Sequence, residues 1–486
     1  MKIKSNILVI LCILFLNCVS PSKEITIGLS SRPRTLNPLM YKEFAILSLL
    51  CNVYEPLISE DETYNIKPVL AKYWERKDSL TWYFYIRRGV RFHNGKPLNA
   101  SDVVYTFYYP LHIKNSEFRS HEIYVDTVFA LNDSVAVFKT RYPYEFLLRE
   151  LIMYFIIPEG FEPDSQMPCG TGPYKVEEND SNFISLKRWK NYWGEKPFFK
   201  NAKLIFVEDS YKRVRMFIES EADIIDYVPL EYSDSITKYG KLLYTPESSV
   251  RILEFNLRVP PFNNKEFRKA VSMCIDRNRI SRVYYKGLSS PANQFFPAGV
   301  REYIPDFGPL DYDTMEAVKA LSNVDYEVPI VMDYAIAVKS LGDSIVRQLR
   351  SVGIKVIGNP LPANEFWEKI KSGKSQLHLL AVVFESPNAY FSLANYFHTP
   401  SPGSPFGVSN RTSYSRKDVD SLIEEAIRTY DVEIRAKLAR QIQKIVMEDM
   451  PVCPIVFERK FYGAKNDIIW KPTLDQRIYL TRIKRQ

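Results

Sequence analysis

The chain has 486 residues, of which 46% are hydrophobic and 25% are charged, and its formal net charge is +8. This length allows about two to four domains with a large core, and the charged fraction is ordinary for a soluble globular protein. The basic residues are dispersed along the chain, which argues against a nucleic-acid-binding module and favours a solvated basic surface.

The N-terminus has the pattern of a bacterial export signal. Two early lysines precede an apolar run over residues 7–16, which is too short to cross a bilayer but typical of a signal peptide. Asn17 and Cys18 follow at once, and a cysteine in this place resembles a bacterial lipobox, although asparagine is unusual before it. We therefore predict a lipoprotein signal peptide over residues 1–17, with lipidation of Cys18 anchoring the protein to a membrane. An ordinary signal peptide with an incidental cysteine is the alternative.

The next hundred residues have clear local signals. Residues 23–31 read as a strand, and residues 45–51 read as a helix that leads into VYEPL. Aromatic residues nearly alternate over residues 80–86, which predicts another strand, and a short second strand is predicted over residues 90–92. Asn99 or Ser101 is predicted to cap a following helix, with Asp102 in its first turn.

The remainder alternates helix and strand patterns. Residues 169–176 read CGTGPYKV, which predicts a tight turn; the run lacks the spacing of a phosphate-binding loop. A strand–helix–strand unit is predicted between residues 328 and 356, a further strand over residues 377–384, and two amphipathic helices between residues 416 and 449. This alternation indicates an α/β protein.

Several segments together resemble one family. Residues 66–107 follow the pattern P-x-L-A-x-x-W, an aromatic strand, and then R-x-G-V-x-F-x-x-G-x-P-L-x-A-x-D-V. TLNP at residues 35–38, VYEPL at residues 53–57, GTGPY at residues 170–174 and the run over residues 263–280 match further family patterns. The chain thus resembles the family-5 extracellular solute-binding proteins, the peptide-, dipeptide- and nickel-binding components of ABC importers.

The resemblance implies an α/β, two-lobe periplasmic-binding-protein fold of type II (Venus-flytrap) with an extra subdomain in the first lobe. The first lobe is expected over residues 18–58, 167–255 and 456–486, the extra subdomain over residues 59–166, and the second lobe over residues 256–455.

No motif points to catalysis. There is no G-x-S-x-G or HExxH, the five histidines form no ligand-spaced pair, and no acid/base couple is singled out. We therefore expect no enzyme activity, no catalytic residue, no metal site and no cofactor. Four cysteines remain beyond residue 18, and the sequence leaves open whether they pair or stay as buried thiols.

The most informative departure from the family lies near the expected ligand. Peptide-binding relatives pair the ligand's α-amine with an Asp in a pattern resembling W-x-x-D-x-x-x-P. Anchored on Pro387, that Asp position falls on Val383, which cannot pair with an ammonium. Glu385 points to the same side of a strand and is the candidate replacement; the alternative is a ligand without a free α-amine, such as a modified peptide, a sugar or a metal chelate. The predicted ligand-binding residues are Ser30, Arg32, Asn37, Asn256, Ala381, Val383, Glu385, Tyr390 and Asn410.

The predicted function is capture of a peptide-like solute for a membrane importer. The resemblance implies a monomer that closes on its ligand and passes it to an ABC permease, with the permease and ATPase as separate chains, and without nucleic-acid partners. A non-peptide ligand, or a surface receptor or adhesin that keeps the fold, is the alternative.

Overall fold

The computed structural model describes residues 23–41, 44–61, 65–119, 124–163, 167–300, 302–322, 324, 329–384, 389–401, 404 and 406–486. The strands in chain order are β1 (Glu24–Leu29), β2 (Ile58–Glu60), β3 (Ile66–Pro68), β4 (Ala71–Arg76), β5 (Thr81–Ile86), β6 (Val125–Asn132), β7 (Val135–Thr140), β8 (Tyr174–Asn179), β9 (Phe183–Arg188), β10 (Asn201–Phe206), β11 (Ile224–Ile225), β12 (Lys241–Tyr244), β13 (Ser249–Phe255), β14 (Ile330–Ala335), β15 (Val356–Leu361), β16 (Leu377–Val383), β17 (Val452–Glu458), β18 (Phe461–Ala464), β19 (Ile468–Ile469) and β20 (Lys484–Arg485).

The helices in chain order are α1 (Phe44–Leu50), α2 (Ala100–Tyr108), α3 (Leu147–Leu151), α4 (Ser210–Ile218), α5 (Ser233–Tyr239), α6 (Lys265–Met273), α7 (Arg277–Tyr285), α8 (Thr314–Leu321), α9 (Lys339–Ser351), α10 (Ala363–Lys371), α11 (Ala389–Phe397), α12 (Lys417–Arg428) and α13 (Val432–Asp449). None of these described helices combines the length and the apolar character of a membrane span.

Three larger sheets organise the strands. A seven-stranded sheet has the order β12-β18-β11-β1-β10-β9-β8, a five-stranded sheet the order β15-β14-β16-β13-β17, and a four-stranded sheet the order β4-β5-β7-β6. The four-stranded sheet is antiparallel throughout, whereas β1 is parallel to β10 and β11, and β14 is parallel to β15 and β16. The strands and helices therefore form a mixed α/β fold.

The stretch that leads into α2 forms largely as predicted. Buried and half-buried side chains alternate along β5, as expected for a strand with one face on the core. Asn99 caps α2: its Oδ1 accepts from the backbone N–H of Ser101 and Asp102, and the Asp102 carboxylate accepts from the Asn99 N–H at 2.9 Å. The predicted short strand over residues 90–92 forms only as an isolated antiparallel bridge between Arg91 and Pro97, in which Phe92 N–H donates to the Lys96 carbonyl at 2.9 Å and Leu98 N–H donates to the Val90 carbonyl at 3.0 Å. The positive-φ glycines Gly89 and Gly95 turn the chain on either side, so the strand does not extend further.

The chain passes between the seven-stranded and five-stranded sheets in two adjacent places. One passage joins β12 to β13, and the other joins β17 to β18. They are tied together, because Thr245 N–H donates to the Lys460 carbonyl at 3.0 Å and Ser248 N–H donates to the Glu458 carbonyl at 3.0 Å. The two passages therefore run side by side as a hydrogen-bonded pair. The predicted lobe limits at residues 255/256 and 455/456 fall at the end of β13 and within β17, and the division into lobes stays a prediction.

Candidate ligand-binding site

A cavity of about 710 Å³ lies between the two halves of the molecule. Glu55 and Pro173, near the seven-stranded sheet, line one wall, and Val383 and Tyr396, from β16 and α11, line the other. Small-ligand sites typically have volumes of about 300–1,000 Å³ and lie between domains, so both the size and the place suit a small solute.

The GTGPY segment holds the first wall in position. A Cβ on Gly172 would lie 2.7 Å from the carbonyl carbon and oxygen of Val53, so only glycine allows the two backbones to approach this closely. Gly172 N–H donates to the Val53 carbonyl at 2.9 Å, and the neighbouring Thr171 hydroxyl donates to Glu55 Oε2 at 2.8 Å. The motif therefore positions Glu55. Instead of the predicted tight turn, residues 171–173 form a bend that is hydrogen-bonded to Asn52 and Val53, because Gly172 N–H donates to the Val53 carbonyl and Tyr174 N–H donates to the Asn52 carbonyl.

Glu55 is a buried carboxylate at the centre of this wall. Trp193 Nε1–H donates to its Oε2 at 2.7 Å, and the Tyr192 hydroxyl donates to its Oε1 at 2.8 Å. The Arg87 guanidinium lies 4.7 Å from the centre of the Trp193 ring. Burial raises the pKa of Glu55 to about 7, and the hydrogen bonds from Trp193, Tyr192 and Thr171 offset part of that rise.

The opposite wall is uncharged among the residues that the structure describes. Val383 ends β16, and one side of α11 adds Ser392, Asn395 and Tyr396, which are spaced three and four residues apart as a single helix face requires. Ser409 completes the polar part of this wall. These hydroxyl and amide groups give the second half of the molecule hydrogen-bonding capacity without a fixed charge.

A buried charge cluster supports Tyr396 from behind. Glu254, which has no exposed surface, accepts from His378 Nε2 at 2.7 Å and from Arg411 Nε at 3.1 Å. Burial opposes its ionisation, but the hydrogen bonds from His378 and Arg411 and the positive charge of Arg411 hold the pKa of Glu254 below its usual value. The Arg411 guanidinium then lies 5.3 Å from the centre of the Tyr396 ring and thereby fixes the cavity wall.

The C-terminal segment forms one end of the cavity. Residues 471–475 line it together with Arg477, Tyr479, Thr481 and Arg482. Asn52 fastens this segment to the end of α1, because its side-chain amide donates to the Ile478 carbonyl and accepts from Leu480 N–H, both at 2.8 Å. The segment thus presents its side chains from a fixed backbone.

Contacts also join the two halves at the rim. Tyr430, between α12 and α13, donates to the Ser79 carbonyl at 2.8 Å, and the Arg76 guanidinium lies 3.6 Å from the centre of its ring. Arg435 of α13 lies 3.6 Å from the Glu145 carboxylate. The four-stranded part of the molecule therefore touches the helices of the five-stranded half.

Of the described residues predicted to bind ligand, only Val383 lines this cavity. Ala381 lies earlier in β16, opposite Arg251. Ser30 donates its hydroxyl to Asp226 at 3.2 Å, and Arg32 donates to the Asn179 side chain at 2.7 Å.

The predicted asparagines are buried in turns and loops. Asn37 accepts from Leu39 N–H at 3.0 Å. Asn256 donates to the Ser375 carbonyl at 3.2 Å. Asn410 donates to the carbonyls of His398 and Tyr414 at 2.9 and 2.7 Å.

Two predicted positions lie outside the described residues, and a third lies close to the cavity. Glu385 and Cys18 fall outside, as does the predicted signal peptide. Tyr390 is buried, with its ring centre 5.8 Å from that of Phe146, a residue of the cavity wall. The ligand-binding role of every predicted position stays a prediction.

Most of the residues that line the cavity were not among the predicted ligand-binding residues. Glu55 was matched only as part of a motif, and Arg482 only as part of a basic chain end. The spacing of Ser392, Asn395 and Tyr396 was the one local signal that could have marked a polar helix face.

Comparison with known proteins decides the family. Residues 65–404, more than two thirds of the chain, match "Bacterial extracellular solute-binding proteins, family 5 Middle". The chain belongs to this family. As a family-5 solute-binding protein it is a periplasmic or extracellular binding protein, and it is not an enzyme, as predicted. The lipid anchor on Cys18 stays a prediction.

Similar proteins extend the match over nearly the whole chain. The glutathione-binding protein GsiB of Escherichia coli O1:K1 is 23% identical over 92% of this chain and 91% of its own length. The structure of the ABC transporter substrate-binding protein CtaP of Listeria monocytogenes has a TM-score of 0.85 at 22% identity, covering 96% of this chain and 99% of that one. NikA of Brucella suis, in complex with Fe(III)-EDTA, has a TM-score of 0.84 at 18% identity and covers 95% and 100%. The predicted fold class is confirmed.

The family also includes metal-chelate binders, which makes metal-binding groups relevant. In the described part of this family-5 protein, no group of three or more His, Cys, Asp or Glu side chains is arranged to hold a metal ion. The described cysteines, Cys51, Cys169, Cys274 and Cys453, are all buried free thiols. Of the alternatives that the sequence left open for them, the structure therefore shows unpaired thiols.

Proposed function

We propose that this protein captures a peptide-like solute in the cavity between its two lobes and delivers it to an ABC permease. The cavity itself carries the proposal. It has a volume of about 710 Å³, both halves of the molecule line it, and its walls include five acidic and five basic residues. Peptides carry both signs of charge and many hydrogen-bonding groups, so a wall of this composition suits them. The glutathione-binding relative supports a peptide-like ligand, and the substrate-binding protein CtaP supports an ABC importer.

Hinge closure is the proposed mechanism. The two adjacent passages between the sheets provide the hinge, and the contacts of Tyr430 and Arg435 at the rim stabilise the closed state. Ligand that touches both walls binds the closed state more tightly and therefore shifts the population toward it. The closed protein then presents its ligand to a permease, which with its ATPase is a separate chain. We also propose that lipid on Cys18 holds the protein at the membrane.

A non-peptide solute is the second candidate, and one observation favours it. Val383 stands at the family's amine-anchor position and lines the cavity, so that position offers no charge to an α-amine. The structurally similar NikA holds Fe(III)-EDTA, which is a polycarboxylate chelate rather than a peptide.

Native mass spectrometry of the protein, purified without denaturation, tests both candidates. A series of bound masses that release as mixed short peptides is the result expected for a peptide importer. A single non-peptide mass would replace the first candidate by the second. Protein that shows no ligand-dependent compaction in X-ray scattering, once a ligand has been found, would overturn the closure mechanism.

A further inference from the structure

The charged groups of the cavity are unevenly distributed. All ten belong to the first half of the molecule and to the C-terminal segment, and none of the described lining residues of β16, α11 and the loop before α12 is charged. The acidic ones are Glu55, Glu60, Asp61, Glu150 and Asp475, and the basic ones are Lys67, Arg149, Lys471, Arg477 and Arg482. What they offer a ligand depends on which of them already have partners inside the protein.

Each acid is engaged by the protein. Glu55 accepts three hydrogen bonds, as described above. Glu60 forms an ion pair with Arg149, and Glu150 accepts from the Tyr124 hydroxyl at 3.1 Å. Asp61 accepts from the Asn65 backbone N–H at 3.0 Å.

Asp475 accepts as many hydrogen bonds as Glu55. It accepts from the hydroxyls of Thr473 and Tyr479 at 2.5 and 2.8 Å and from the Arg477 N–H at 3.2 Å. A ligand ammonium would therefore compete with internal donors at every one of these acids.

The bases differ. Arg149 is paired with Glu60, and Arg477 lies 4.0 Å from Asp475. Lys471 and Arg482, in contrast, make no ion pair or side-chain hydrogen bond with any residue that the structure describes. Lys67 has an interaction of its own within the protein. Lys471 and Arg482, both from the C-terminal segment, are therefore the two basic lining residues without an ion pair among the described residues.

The Arg482 guanidinium is also held in position for a ligand. Its central carbon lies 4.4 Å from the centre of the Tyr479 ring, and the Tyr479 hydroxyl is itself fixed to Asp475. A guanidinium that stacks on a ring with its flat face keeps its N–H edge available, and that edge matches a carboxylate with two parallel hydrogen bonds. Arg482 is thus preorganised, and Lys471 adds a second positive charge.

We infer that Arg482 and Lys471 form a carboxylate-binding subsite, and that this protein selects solutes by a free carboxylate rather than by a free α-amine. The inference rests on the proposed function and deepens it. Val383 removes the amine anchor on one wall, while the uncompensated cations supply a carboxylate anchor on the other. Peptides with a free C-terminal carboxylate fit this subsite, and their C-terminal amides lack the group it recognises.

The test compares free acids with their amides. Full-length protein purified in mild detergent is titrated calorimetrically with trialanine, with trileucine and with the C-terminal amide of each, so that each acid has one carboxylate and each amide has none. We expect the free acids to bind more tightly, and the change Arg482→Gln to weaken their binding about tenfold to a hundredfold while leaving the amides unaffected. Lys471→Gln should weaken the same ligands by a smaller factor, and Arg482→Lys should restore part of the loss.

The matched control is Lys484→Gln. Lys484 is an exposed base two residues from Arg482 that does not line the cavity. Its loss should therefore leave the affinities for the free acids and for the amides unchanged. Wild-type protein that prefers the acids, together with an Arg482→Gln, Lys471→Gln double variant that keeps this preference, would overturn the subsite and leave the proposed function intact. Wild-type protein that binds neither acids nor amides would overturn both.

Discussion

Replacing Glu55 with glutamine should change how the stability of the protein depends on pH. Burial raises the pKa of Glu55 to about 7 in the folded protein, against an ordinary value of 4.5. A rise from 4.5 to about 7 corresponds to about 3 kcal/mol, because each unit corresponds to about 1.4 kcal/mol. Below pH 4.5 the carboxyl group is protonated in both states, so this difference has no effect on stability.

As pH rises through the window between these two values, the unfolded chain loses its proton first. The folded protein then binds more protons than the unfolded chain, so the free energy of unfolding falls with increasing pH. Above about pH 7 both states are ionised and the full destabilisation of about 3 kcal/mol is present. Glutamine has the same shape and no charge, so Glu55→Gln should gain stability relative to wild type by this amount between pH 4.5 and pH 8.

Urea unfolding followed by circular dichroism at a series of pH values measures this difference. Subtracting the wild-type free energy of unfolding from that of the variant at each pH cancels the contributions of the other titrating groups. The exposed Glu178, changed to glutamine, is the control and should give a flat difference. If the free energy of unfolding of Glu55→Gln minus that of wild type stays constant or falls as pH rises, the folded protein does not disfavour the ionised carboxylate and the reasoning is refuted.

Two further substitutions and one labelling experiment test other parts of the same structure. Arg411→Met leaves the fully buried Glu254 with one cationic partner fewer and should destabilise the protein by roughly 3–5 kcal/mol in urea unfolding; adding Glu254→Gln should recover part of that loss, and additive effects would contradict the coupling. Tyr430→Ala removes the rim contacts with Arg76 and Ser79, so it should enlarge the protein in X-ray scattering and weaken ligand binding several-fold, whereas unchanged scattering would contradict a closing role. Alkylation of denatured protein without reductant should label all of Cys51, Cys169, Cys274 and Cys453, and a pair that reacts only after reduction would show a disulfide.

Local features were predictable because their causes are local. The Asn99 cap depends on a side chain and two backbone amides within three residues, and the β5 strand depends on alternation within six residues. In these places the chain's own spacing determines which atoms can meet.

The cavity wall was not predictable because its causes are distant in sequence. Glu55 meets Thr171 across 116 positions and Tyr192 across 137, so no window of sequence reveals that its carboxylate is already satisfied. Asparagines such as Asn256 and Asn410 suit a turn and a ligand equally well by composition, and only their bonds to backbone carbonyls show that the fold uses them. Arg482 was not predictable for a different reason. A basic residue near the end of the chain is expected to be exposed to solvent, and only the structure shows that its guanidinium stacks on Tyr479.

Under the proposed closure mechanism, the distribution of charge across the cavity should set the order in which its parts contact a ligand. Fixed charges attract at longer range than hydrogen bonds or apolar contacts, and in the described residues they all lie on one wall. A charged solute should therefore engage that wall first, while the hinge is open. Tyr396, Ser392 and Asn395 reach the solute only as the other wall approaches, so their contacts contribute to closure rather than to capture. Changes at Arg482 should consequently alter the association rate and its dependence on salt, whereas changes at Asn395 should alter mainly the dissociation rate.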